Sequence, residues 1–152
     1  MRNEIVAVLY EGGDFNHGFT YSGHPVAAAV ALENIRILRE EKIVERVKSE
    51  TAPYLQKRLR ELSDHPLVGE VRGVGLLGAI ELVRNKATRE RYTDRGAGMI
   101  CRTFCFDNGL IMRAVGDTMI IAPPLVITFE QIDELVEKAR KCLDLTLAAL
   151  EG

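Results

Sequence analysis

No charge of one sign predominates in this sequence: 20 Lys and Arg stand against 22 Asp and Glu, a formal net charge of -2. That balance gives no electrostatic reason to expect nucleic acid or a membrane surface as partner. Long apolar runs are missing as well. The longest, Pro25 to Leu32, is far too short to span a bilayer, and no signal peptide is visible. Cysteine is scarce; Cys101, Cys105 and Cys142 cannot all pair with one another, and their spacing matches no zinc site. Cys101 and Cys105 lie one helical turn apart and read as buried thiols of a reducing cytoplasm. Repeats and low-complexity segments are also lacking. What is present is an ordinary globular composition, 47% apolar and 28% charged, on 152 residues, enough chain to bury a core without staples.

Residues Met1 to Tyr21 do not read as a domain. Ile5 to Tyr10 predicts one buried strand or the tail of a helix, broken by Glu11-Gly12-Gly13-Asp14. From Ser22 the pattern sharpens. Pro25 suits a first helical turn, and Val26 to Leu32 is apolar around its whole circumference, which predicts a helix buried on every side and running to about Glu40. A second helix carries Ile43, Val47, Tyr54, Leu55, Leu59 and Leu62 on one stripe and stops at Asp64-His65-Pro66. Leu67 to Val83 alternates as a strand, with Val74, Leu76, Ile80 and Leu82 on one face. A helix follows a charged loop, from about Asp94 to Asp107, and Asn108-Gly109 ends it. Leu110–Ala114 and Met119–Ala122 flank a tight hairpin at Val115 to Thr118. Thr128-Phe129-Glu130-Gln131 is a capping box that opens the last helix. The expectation is an α+β domain, a small and mostly antiparallel sheet packed with helices.

Three features bear on chemistry. Phe15 to Pro25 places small residues and hydroxyls at a helix entrance, where unsatisfied N–H groups and the positive dipole end favour an anion; Thr20 and Ser22 are helix caps or phosphate ligands there. Gly73-Val74-Gly75-Leu76-Leu77-Gly78 matches the dinucleotide fingerprint, but it lies inside a strand alternation instead of opening a helix, so it reads as glycines allowing close backbone approach. Arg113 interrupts the apolar Leu110 to Ala114. Its guanidinium is either an edge-strand side chain reaching for water or a fork for a carboxylate. His17 and His24 have no Ser or Cys partner, none of the six lysines sits in an apolar setting, and no metal-ligating set is visible.

The string Phe15-Asn16-His17-Gly18-Phe19-Thr20-Tyr21-Ser22-Gly23-His24-Pro25, followed by its Ala-rich helix, resembles the class III (ω-amino acid) aminotransferases, which use pyridoxal phosphate. Val71-Arg72-Gly73-Val74-Gly75, Ala79 to Leu82, Asn108 to Arg113 and Ala122 to Thr128 extend the resemblance over essentially the whole chain, leaning toward the bacterial ω-amino acid:pyruvate branch.

The resemblance implies the C-terminal portion of a fold-type I homodimer. Residues 1–21 would be a remnant of the large cofactor-binding domain and 22–152 the C-terminal small domain. Phe19 and Thr20 would contact the cofactor phosphate of the neighbouring subunit. Arg113 would be the mobile arginine that pairs with a substrate carboxylate, which settles its role in favour of the fork. The family's Schiff-base lysine would precede Met1, so no catalytic residue is expected in this chain and the chain alone should be inactive. The parent reaction moves an amino group from an amine or ω-amino acid to a keto acid such as pyruvate, in the cytoplasm. The alternatives are another reaction on the same cofactor, or a non-catalytic α+β module binding a partner or a small acid.

Overall fold

A computed structural model describes residues 2–13, 18, 20, 22–92 and 96–152. The chain divides into two compact units, Met1–Leu38 and Arg39–Gly152.

In the first unit Ile5 to Tyr10 is helical, within α1 (Asn3–Glu11), not a strand, and the helix buries none of its residues. After the turn at Ser22-Gly23 comes α2 (Pro25–Glu40). The sequence predicts a helix enclosed on all sides; instead, α2 has no buried residue, and Val26, Val30 and Leu32 are each more than 60% exposed. Apolarity around a circumference records what a helix is suited to pack against, and nothing among the described residues of its unit covers this one.

The second unit begins with a continuous helical run: α3 (Ile43–Arg46), one wide π-type turn over Val47–Thr51, α4 (Ala52–Arg60) and a tight 3₁₀ turn over Glu61–Asp64. Pro53 has no N–H to donate one turn back, and its ring crowds the carbonyl there, so the widened turn beside it has an identifiable cause. Leu55, Leu59 and Leu62 have no exposed surface, as the stripe predicts.

Leu67 to Val83 is two strands, not one. β1 (Val68–Val74) and β2 (Leu77–Leu82) form an antiparallel hairpin in which Val74 opposes Leu77. Gly75 takes φ +60 at the first turn position, and Gly116 does the same (φ +55) between β3 (Arg113–Val115) and β4 (Thr118–Ile121). A glycine there is what a two-residue type II′ turn requires. The sheet order is β1-β2-β4-β3, every pairing antiparallel. Because a two-residue turn reverses parity, even-numbered residues before it share a face with odd-numbered ones after it. Val74 therefore lies on the outer face, 76% exposed, while Ile80 and Leu82 point inward with none.

The inner face packs on α4, on α5 (Ala97–Asp107) and on α6 (Phe129–Glu151). Gly73 and Gly78 oppose each other in register under α4. A β-carbon on Gly73 would meet the Leu77 carbonyl at 2.4 Å and the Gln56 amide at 2.8 Å, and one on Gly78 would meet Leu59 Cδ1 at 2.5 Å. The gap is filled by Gln56, whose Nε2 donates to the carbonyls of Gly75 (3.0 Å) and Leu77 (3.1 Å). The glycine-rich string thus serves helix-on-sheet packing and opens no helix.

α5 ends in a Schellman motif, with Leu110 N–H donating to the Cys105 carbonyl (2.8 Å) and Gly109 N–H to Phe106 (3.1 Å). The capping box of α6 forms with both bonds, Gln131 N–H to Thr128 Oγ1 (3.2 Å) and Thr128 N–H to Gln131 Oε1 (3.0 Å). Ile132, Val136, Ala139, Cys142 and Leu143 are buried, Leu135 only partly. Asp133 of α6 accepts from Tyr54 Oη (2.7 Å) and Arg58 Nε (2.8 Å), tying α6 to α4. His65 is 3% exposed; its Nδ1 accepts the Leu67 N–H, so Nε2 carries the proton toward Asp144 (3.1 Å). The three cysteines are free and buried. No helix among the described residues is long and apolar enough to cross a membrane.

Candidate functional site

The helix entrance belongs to the first unit. Thr20 sits in a turn and is exposed, as are Ser22, Gly23 and His24. The His24 carbonyl accepts the Ala28 N–H (3.0 Å), which makes His24 the capping position and Pro25 the first helical residue. The amides of Val26 and Ala27 are then left without a partner one turn back, on an exposed helix start. An exposed hydroxyl at Thr20 precedes a helix start with the positive end of its dipole in solvent, features suited to one phosphate group. Phe19, the other predicted phosphate contact, lies outside the described residues, as do His17 and Tyr21.

Arg113 belongs to the second unit. Alternation along its strand turns Met112 into the core, 3% exposed, and Arg113 outward. The register aligns Arg113, Ile120, Ala79 and Arg72 in one row across the outer face. The adjacent row is Val115, Thr118, Glu81 and Glu70 or its bulged neighbour. At one edge of that face the charges are spent on one another. Glu81, 13% exposed, accepts from Arg72 (2.8 Å) and Arg91 (2.9 Å), and these two bonds hold its carboxyl below the usual carboxylate range. Arg72 also meets Glu70 at 3.5 Å. At the opposite edge Arg113 has no ion pair among the described residues, and its register neighbour Ile120 is half-buried and apolar. An open guanidinium fork beside an apolar strip suits a small molecule with a carboxylate at one end. Reasoning from sequence singled out Arg113 and passed over Glu81, although a lone charge among Ala79, Ile80 and Leu82 is the same signal.

Other groups are less suited to chemistry. All six lysines are described and none is buried. Lys86 donates to the carbonyls of Ser63 and His65, and Lys138 pairs with Glu134. A cleft of about 520 Å³ between the end of α5, Pro123-Pro124 and α6 has mainly apolar walls, and its cation is that paired Lys138. No group of three or more His, Cys, Asp or Glu among the described residues is placed to hold a metal ion.

The family model described as Aminotransferase class-III matches residues 1–143. The putrescine–pyruvate aminotransferase of Pseudomonas aeruginosa is 75% identical over 150 residues, which is 99% of this chain and 33% of that protein. The mitochondrial gamma aminobutyrate transaminase 1 of Solanum lycopersicum is 46% identical over 86% of this chain and 25% of its own length. Among solved structures, a transaminase with L-alanine superposes with TM-score 0.82 at 44% identity, over 97% of this chain and 35% of that one. The PMP-bound form of an aminotransferase from Vibrio fluvialis superposes with TM-score 0.81 at 34% identity, over 95% and 32%. The chain thus spans about one third of the length of the first of these relatives.

Proposed function

Because this chain belongs to the class III aminotransferases, we propose that it is the C-terminal portion of an enzyme that moves an amino group from an amine or ω-amino acid to a keto acid such as pyruvate. Class III aminotransferases use pyridoxal phosphate, which supplies the electron sink for the reacting carbon. Residues 1–21 belong, on this reading, to the large cofactor-binding domain and 22–152 to the small domain of a cytoplasmic homodimer.

The residues present fit one end of that cofactor. Thr20 and the open amides of α2 suit its phosphate, and with Phe19 they clamp the phosphate held by a neighbouring subunit. The other end needs a lysine shielded from water with a lowered proton affinity, and every lysine here lies at least partly in solvent. No step through the cofactor is assigned to this chain, which is inactive by itself. Mixed with pyridoxal phosphate and reduced with borohydride, it should yield no adduct at one unique lysine; a single modified lysine by peptide mass mapping overturns the inactivity.

The observation that carries the reading is Arg113 on the outer sheet face, with no ion pair among the described residues. Its planar fork donates two parallel bonds to the acceptor's carboxylate, with Ile120 excluding water on one side. The test is a chimera in which this chain replaces the matching third of the Pseudomonas aeruginosa enzyme. The chimera should transaminate pyruvate. Arg113→Ala should raise the keto acid KM by about tenfold or more while sparing the KM of a diamine donor, and Thr20→Ala should weaken retention of pyridoxal phosphate. A dimeric chimera in which Arg113→Ala leaves the keto acid KM unchanged refutes the assignment.

A further inference from the structure

Arg113 stands on a strand of three residues, β3, at the edge of the sheet, with β4 as its one ladder partner. So short an edge strand does not hold itself in place. The structure supplies two anchors, both on α5. Behind Arg113, the Leu110 N–H is bound to the Cys105 carbonyl at the C-terminal end of the helix. Ahead of it, the turn Gly116-Asp117 docks on the N-terminal end, where an Asp117 carboxylate oxygen accepts the Gly98 N–H (3.1 Å). The capping position of α5 is Gly96, which has no side chain to offer, so Asp117 caps the helix from 19 residues away. The contact is close: a β-carbon on Gly98 would stand 2.0 Å from the Gly116 carbonyl oxygen. The Asp117 carbonyl meanwhile accepts the Leu82 N–H (2.8 Å), fixing the same turn to the end of β2. The strand is strung along α5 like a cord between two pegs, and Arg113 lies near its middle.

We propose that Asp117 is a positioning residue for Arg113: by locking the β3–β4 turn onto the start of α5 at Gly98, it holds the arginine's Cα fixed while the side chain moves. The proposal rests on the reading of Arg113 as the carboxylate-binding group. Displacement of a binding group by about an ångström is enough to cost one to two orders of magnitude in a positioned reaction.

The chimera provides the test. Asp117→Ala removes the acceptor for Gly98 and should raise the keto acid KM about tenfold with the diamine donor KM unchanged. Asp117→Asn retains an oxygen acceptor and should restore the KM to within about threefold. Gly98→Ala would press a β-carbon on the Gly116 carbonyl and push the turn off the helix from the other side, and where it folds it should reproduce Asp117→Ala; Asp117→Asn, which keeps the turn docked, guards against a variant that fails to fold. On an Arg113→Ala background, Asp117→Ala should add nothing. A folded Asp117→Ala or Gly98→Ala enzyme with both KM values raised, with neither raised, or with effects that add to Arg113→Ala overturns the positioning role. If Arg113→Ala itself leaves the keto acid KM unchanged, the arginine's assignment falls, and this proposal with it.

Discussion

Leu59 has no exposed surface, and its Cδ1 occupies the space that a side chain on Gly78 would need. Truncation to Ala leaves a cavity beneath the sheet and should cost about 3 kcal/mol, measured by urea denaturation of the folded protein. The two glycines under α4 differ in what crowds them. At Gly78 the obstacle is a leucine methyl, which can shift; at Gly73 it is the Leu77 carbonyl of the hairpin itself. Gly73→Ala should therefore destabilise more than Gly78→Ala, by about 1 kcal/mol or more, and the reverse order would contradict the packing described. These glycines read correctly from sequence as points of close approach, because the fingerprint they mimic needs a helix start that the following Leu77 to Val83 does not supply. What approaches them was not legible. Nothing local to Gln56 announces that its amide will grip a turn at Gly75 and Leu77.

At the scale of elements, the parts with local punctuation were read well. Thr128 and Gln131 form their box, and Thr128→Ala should cost about 1 kcal/mol; a change in the urea midpoint with an unchanged slope would register it, and no change would mean the α6 entrance is held by packing alone. Asn108-Gly109 likewise ends α5. The hairpin at Gly116 was expected, though its first strand starts at Arg113, Leu110 being taken up by the Schellman turn. The β1–β2 hairpin was missed because Val74, Leu76, Ile80 and Leu82 keep an unbroken period across the turn, while the pairing of Val74 with Leu77 reverses which parity faces inward. Pattern along the chain does not report a parity change; only the partner strand does. The burial expected of α2 failed differently. Its pattern states a requirement for cover that the described residues of its unit do not supply.

For the second unit as a whole, the charges on the outer sheet face make stability depend on pH in a defined sense. Arg72 and Arg91 depress the Glu81 carboxyl in the folded state. The folded form therefore holds the ionised group better than the unfolded chain, so the gain is complete above the ordinary value of about 4.3 and disappears as pH falls through the lower folded value. Glu81→Gln should lower the unfolding free energy near neutrality by about 1 kcal/mol, read by urea denaturation, and the gap from the parent protein should close as pH falls below about 4. A gap independent of pH would place the effect in packing instead.

The position of Arg113 at the rim of the sheet separates two demands usually in conflict. Among the described residues no second strand lies beyond it, and its outward side chain contributes nothing to the core. Replacing it with leucine should leave folding stability within about 0.5 kcal/mol, verifiable by calorimetry. On the proposed reading of Arg113 as the carboxylate fork, acceptor preference is then free to drift over generations without endangering the domain that bears it, and a designer enlarging the range of accepted ketones would rewrite this letter first.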